Sequence, residues 1–128
     1  MPVTIAGIAL DCSDALTVGR FWSAALDRPL DPGAADEFAS IGFAGRRTKE
    51  GWGSAEPDEA TWIFAKVPES KTVKNRLHLD LIAPDPETEI ARLTELGAER
   101  VADREEYGYR WTLMADPEGN EFDIGKAL

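Results

Sequence analysis

His78, Asp80 and Glu121 are the side chains in this sequence to which chemistry is most readily assigned. His78 is the only histidine. An imidazole with an unperturbed pKa of about 6.5 serves equally as a ligand or as a general acid or base; the plainer alternative is a strand histidine bonded to Asp80 or to a backbone carbonyl. The run from Asn75 to Leu81 alternates polar residues with leucines, which places His78 and Asp80 on one face of a strand and the leucines on the other. Asp80 could equally be a plain ion-pair partner of Arg76 or Arg110. Glu121 follows Asp116-Pro117-Glu118-Gly119, with Asp, Pro and Gly at the first, second and fourth positions of a type I turn, where each is favoured. Burial of Phe122 and Ile124 would send Glu121 to the opposite face; the alternative is a solvated carboxylate beside the turn. Trp52, Trp62, Trp111, Tyr107 and Tyr109 could line an aromatic pocket, although Trp62 and Trp111 lie on strand-like segments, where tryptophan is commonly core.

The elements that must position these groups come in two sets. Residues 3–11 read as a first strand, and Ser13 or Asp14 caps a helix over about 15–26, where Leu16, Gly19, Trp22 and Ala25 or Leu26 form an apolar stripe. A short strand between Phe38 and Phe43 follows, then turn and loop sequence from Gly51-Trp52-Gly53 through Pro57-Asp58, including the acidic run Glu56–Glu59. Thr61–Val67 is a firm strand. The second set begins with the strand at 75–81. A helix over about 86–97 is opened by Asp85-Pro86 and closed by Gly97, and strands follow at about 99–103, 108–115 and 121–126. At an offset of about 71 residues Gly7 falls on His78, Asp14 on Asp85, Trp22 on Leu93 and Ala25 on Leu96. The reading is an α+β chain of two βαβββ modules, about 1–68 and 75–128, whose strands form a curved mixed sheet around a cavity with the helices outside.

Composition limits the partners. Across 128 residues, 14 Lys and Arg stand against 24 Asp and Glu, a formal charge of −10, which disfavours nucleic acid and anionic membrane and favours a cationic small molecule. Solubility is the commoner reason for such a balance. No apolar run approaches the roughly 20 residues of a membrane span and the start has no basic region before an apolar one, so a cytoplasmic location is expected. Cys12 has no partner for an internal disulfide and no zinc spacing.

Phe21-Trp22-Ser23-Ala24-Ala25-Leu26, the run Lys71 to Leu81, the helix exit Leu96-Gly97-Ala98, and Asp116-Pro117-Glu118-Gly119-Asn120-Glu121-Phe122 together resemble the glyoxalase/bleomycin-resistance, or vicinal oxygen chelate, superfamily, and its glyoxalase-like domain branch in particular. The superfamily includes glyoxalases, extradiol dioxygenases, epimerases, fosfomycin-modifying enzymes and metal-free antibiotic-binding proteins. The resemblance implies metal ligands on the first and last strand of each half. The second half supplies His78 and Glu121, which suit Fe, Mn, Ni, Co or Zn. The first half offers Gly7 in one place and Thr61, Trp62, Ile63 and Phe64 in the other. Two protein ligands rarely hold a divalent ion against water. The expectation is therefore no tightly bound metal and at most a weakly bound divalent ion on His78, Glu121 and waters, with Asp80 as a further donor.

Two functional classes follow. One is an enzyme in which His78 and Glu121, with Asp80, act on a small oxygenated or aromatic metabolite, a metal serving as Lewis acid or a side chain shuttling a proton. The other is a non-catalytic protein of the bleomycin-resistance type that sequesters an aromatic or cationic molecule among Trp52, Trp62, Trp111 and Tyr109. A structural dimer without ligand is a third possibility. A homodimer is expected by analogy in each case.

Overall fold

The computed structural model describes residues 2–52 and 60–127, and the acidic run Glu56–Glu59 lies outside them. The chain divides into two compact units, Met1–Ser70 and Lys71–Leu128.

The first unit contains β1 (Gly7–Cys12), α1 (Ala15–Leu26), β2 (Phe38–Ile41), β3 (Arg47–Thr48), β4 (Gly51–Trp52) and β5 (Thr61–Lys66). Of the two capping candidates, Asp14 caps α1. Its extended backbone turns the carboxylate onto the Leu16 and Thr17 N–H groups at 3.0 and 3.2 Å, which satisfies donors the first turn cannot pair internally. Ala15, Val18, Gly19 and Trp22 are the buried stripe, spaced i, i+3, i+4, i+7. This stripe is rotated slightly from the expected one, and Leu16 is only half-buried. Gly19 permits close contact with the sheet, since a Cβ there would lie 3.3 Å from Ala39 Cβ and from the Phe64 ring. Trp62 and Phe64 alternate toward the helix, and Trp22 meets Trp62 at 4.8 Å between ring centroids. Burying each of those side chains contributes about 1.5–3 kcal/mol.

β5 is the centre of a sheet of order β1-β5-β2, parallel to β1 and antiparallel to β2. The ladder starts at Gly7↔Thr61, so the first strand begins at Gly7 rather than at residue 3, and Val3 is 97 % exposed. Where the sequence suggested loop, β3 and β4 pair as a small hairpin through Arg47↔Trp52 and Thr48↔Gly51.

The second unit runs β6 (Leu79–Ala83), α2 (Pro86–Glu95), β7 (Glu99–Glu106), β8 (Tyr109–Ala115) and β9 (Glu121–Lys126), with sheet order β6-β9-β8-β7 and β6 parallel to β9. Asp85 caps α2, Pro86 occupies its first turn, and Gly97 leaves it at φ +117°, a backbone region that favours glycine. The Asp116–Gly119 corner forms as expected. Gly119 N–H donates to Asp116 C=O at 2.9 Å, and the buried Asp116 carboxylate accepts from the N–H groups of Glu118 and Asn120, both at 2.9 Å. The strand expected over 75–81 is displaced to 79–83. Its ladder starts at Leu79↔Phe122, and Leu77, ahead of that pair, is 74 % exposed instead of buried.

Each unit thus carries a mixed sheet with first and last strands parallel and a helix on one face, the α+β arrangement of paired βαβββ units. No sheet among the described residues closes into a barrel, and no described helix is long and apolar enough to cross a membrane.

Candidate functional site

In the second unit the parallel β6–β9 register aligns Asp80 with Asp123 and Leu79 with Phe122. Aligned residues of a parallel ladder share a face, and successive residues alternate. Phe122 and Ile124 are buried core, so Asp80, Asp123, His78 and Glu121 belong to the opposite face. There His78 Nδ1 sits 3.2 Å from Asp80 Oδ1 and 3.3 Å from Asp123 Oδ2. His78 and Asp80 are exposed, whereas Asp123 is only 8 % exposed. Burial pushes the Asp123 carboxyl above the ordinary Asp value; His78 opposes this, and a hydrogen bond with Asp80 reinforces it. Asp123 was not among the sequence candidates. The signal was present, because it stands two residues beyond Glu121 and therefore on the same face.

Glu121 does not join this cluster. Its Oε1 accepts from Lys74 Nζ at 2.9 Å and from the Asn75 N–H at 3.4 Å. The Lys74 bond, helped by Asn75, outweighs desolvation and holds the carboxyl below the ordinary Glu value. A carboxylate already neutralised by an ammonium group is a poor cation ligand. Among the described residues, the group that could hold an ion is His78, Asp80 and Asp123, each offering one ligand atom, all within 4.8 Å of one another. The structure therefore brings His78 together with Asp80, and with the unforeseen Asp123, but not with Glu121.

In the first unit the corresponding ladder pair is Gly7↔Thr61, and it offers no ligand. Thr61 is buried, with its hydroxyl donating to Gly42 C=O at 3.2 Å. A Cβ on Gly7 would lie 2.7 Å from the Thr61 carbonyl oxygen and 2.9 Å from Cη2 and Cζ3 of Trp52. The indole thus lies against Gly7, over the ground where a ligand side chain would stand. Trp52 remains 44 % exposed; Phe43 meets it edge-on at 5.2 Å, and the Arg47 guanidinium lies 5.3 Å from the Phe43 ring centroid.

The other aromatic candidates are dispersed. Trp62 is in the α1-facing core and 5 % exposed, so its ring is spent on Trp22 and Phe64. Tyr109 is exposed at the β7–β8 turn end. Trp111 is half-buried and borders a groove of about 540 Å³ lined also by Asp85, Arg100, Asp103, Thr112 and Lys126. That groove includes neither His78 nor Asp123.

Comparison with known proteins bears on the family and the fold. No curated protein sequence matches the chain significantly. Solved structures do match in fold. A glyoxalase/bleomycin resistance protein/dioxygenase family enzyme from Burkholderia phytofirmans PsJN superposes with TM-score 0.69 at 14 % identity, over 98 % of this chain and 100 % of that one. The fosfomycin resistance protein FosX of Listeria monocytogenes, as a point mutant complexed with Mn(II) and a dihydroxypropylphosphonic acid, gives 0.69 at 14 % identity over 98 % and 90 %. The bleomycin-binding protein of Streptomyces verticillus, complexed with copper(II)-bleomycin, gives 0.59 at 16 % identity over 100 % of both chains. The family model described as glyoxalase-like domain matches residues 7–125, which run from the first residue of β1 to the penultimate residue of β9, and the chain therefore belongs to the glyoxalase-like domain family.

Proposed function

We infer that this protein binds a small molecule with a planar aromatic part, and that Trp52 is the surface on which that part stacks. The observation that carries this reading is the indole lying on Gly7, half-exposed and buttressed by Phe43. A ring takes the ground where the resemblance implies a donor in the first unit, which favours an apolar platform at that position over a ligand. The net charge of −10 favours a cationic ligand. The Streptomyces verticillus protein, described as bleomycin-binding, supplies a precedent on the same fold. The test is titration of the full chain with a planar aromatic cation, proflavine, followed by tryptophan quenching and by mass spectrometry of the recovered probe. Stacking with a cation–π share is worth about 1–2 kcal/mol, so Trp52→Ala should weaken binding by about five- to thirtyfold while the probe returns unchanged. Unaltered affinity in that variant removes the reading.

A second reading is favoured by a different observation, the placement of His78 between two carboxylates. An imidazole oriented in this way is the arrangement of a general base, and it would act on a small oxygenated molecule, with Glu121 holding the 74–75 segment through Lys74 and Asn75 rather than moving protons. Deuterium exchange at carbon α to the carbonyl in a panel of hydroxy- and keto-acids, present in the wild type and lost in His78→Gln, would establish it; binding without exchange leaves sequestration. The homodimer and the cytoplasmic setting expected from the sequence belong to both readings, and light scattering at the monomer mass would remove the first of them.

A further inference from the structure

We propose that His78 Nδ1, Asp80 and Asp123 form a divalent-metal site displaced one pleat along the β6–β9 pair from the His78 and Glu121 positions that the family resemblance implies. This site lies wholly in the second unit and stands whether or not Trp52 is a stacking platform. An ion with bonds of about 2.0–2.2 Å separates neighbouring ligand atoms by about 3.0 Å in octahedral and about 3.4 Å in tetrahedral geometry. The His78 nitrogen stands 3.2 and 3.3 Å from its two carboxylate oxygens, inside that interval on those two edges, and the three ligand atoms all lie within 4.8 Å of one another, so an ion would draw the two carboxylates together.

One imidazole nitrogen is the common vertex of two carboxylates, a donor set suited to borderline and hard first-row ions. Asp123 is 8 % exposed, and a buried carboxylate needs compensating charge. A divalent ion held by all three groups would neutralise both carboxylates at once. Glu121 Oε1 is occupied by the Lys74 ammonium at 2.9 Å, and drawing it onto an ion would break that pair and bring the ammonium toward a dication. The exposed side of His78 and Asp80 leaves coordination positions open to water or to an oxygen ligand, so the site is of moderate affinity, with Zn(II) held more tightly than Mn(II) in the usual order.

The test is calorimetric titration of chelator-stripped full chain with ZnCl₂ and with MnCl₂, and the visible absorption of CoCl₂ bound to the same protein. One ion per chain is expected. Loss of a first ligand should weaken it by at least about tenfold in Asp123→Asn and in Asp80→Asn, with Glu121→Gln within about threefold of wild type. Asp80 is well exposed, so its variant keeps the fold even if Asp123→Asn does not. Failure of all three ions to bind overturns the proposal, as does loss of binding in Glu121→Gln with retention in Asp80→Asn, which would restore the His78 and Glu121 pair. Loss of proflavine binding in Trp52→Ala bears on the other unit and leaves this outcome unchanged.

Discussion

Substituting alanine for Gly7 tests whether the first unit has closed its ligand position. In an extended strand, glycine to alanine ordinarily gains about 0.4–1 kcal/mol, because the unfolded chain loses freedom. Here the added methyl would lie 2.7 Å from the Thr61 carbonyl oxygen and 2.9 Å from two atoms of the Trp52 ring. The oxygen belongs to the strand paired with β1 in register, so it cannot move aside without shifting the Gly7↔Thr61 end of the ladder. Overpacking of this kind costs about 1–3 kcal/mol, which exceeds the entropic gain and leaves a net loss of roughly 0.5–2 kcal/mol. For a chain of this length that is a fall of about 2–10 °C in Tm, measurable by circular dichroism. Combining Gly7→Ala with Trp52→Ala should recover the part of the loss due to the indole but not the part due to the carbonyl, giving a non-additive cycle. A Gly7→Ala variant as stable as the wild type, or more so, would show that position 7 is open and would refute the reasoning on which the missing ligand rests.

Two further outcomes follow from the first unit. Asp31 accepts from the Ser40 hydroxyl at 2.7 Å and from the N–H groups of Gly42, Phe43 and Ala44 at 3.2, 2.9 and 3.1 Å, so Asp31→Ala should cost about 2–4 kcal/mol at pH 7 in a denaturant melt. Although burial works against it, these bonds hold its carboxyl below the ordinary value of 3.8. A depressed folded-state pKa gives stability that is full above the unfolded value and lost as pH falls through the folded one, so the gap between wild type and Asp31→Ala should narrow below about pH 4; a gap unchanged at pH 3 contradicts this. Trp62→Ala should cost about 3–5 kcal/mol as a core truncation, whereas Trp52→Ala, half-exposed on a two-residue strand, should cost less than half as much; equal losses would mean that Trp52 is core.

How far the sequence could be read depended on range. Helix limits were legible because the signals are local: Asp14 and Asp85 capped as their positions implied, and Gly97 adopted the φ that its place after the helix demanded. The Asp116–Gly119 corner was likewise encoded in four consecutive residues. Strand limits are decided by partners, which a single strand's own sequence does not display. Leucine alternation suggested a strand starting at residue 75, but pairing with β9 begins at Leu79, and periodicity carries no information about where a partner starts. The site shows the same division. The period of two put His78 and Asp80 on one face, while the pairing of Asp80 with Asp123, and of Glu121 with Lys74 across 47 positions of sequence, are tertiary facts. Trp52 against Gly7 was out of reach for the same reason, since the hairpin that delivers the indole read as loop.

The two units solve one electrostatic problem differently, and this makes Lys74 a decisive residue. A first and last strand in parallel bring two backbone positions side by side at the start of each ladder: Gly7 and Thr61 in one unit and, one residue ahead of the Leu79↔Phe122 pair, His78 and Glu121 in the other, where the two side chains turn to different partners. In the first unit a glycine and an indole remove the polar requirement. In the second, Glu121 persists, with its side chain only 12 % exposed, and Lys74 supplies the charge that its burial demands. Lys74→Met should therefore act in two ways on a divalent ion at the His78 cluster. It frees Glu121 to serve as a further carboxylate donor, and it removes a cation that interacts favourably with ionised Asp123 and so competes with the ion. Both effects raise affinity, by about threefold or more at low salt, with the gain shrinking as ionic strength rises because Lys74 is largely exposed. The measurement is the same Mn(II) titration at two salt concentrations in wild type and Lys74→Met. Weaker binding in the variant would mean that Lys74 orders the metal-binding face rather than opposing the ion, and would refute the electrostatic competition between the ion and the Lys74 ammonium.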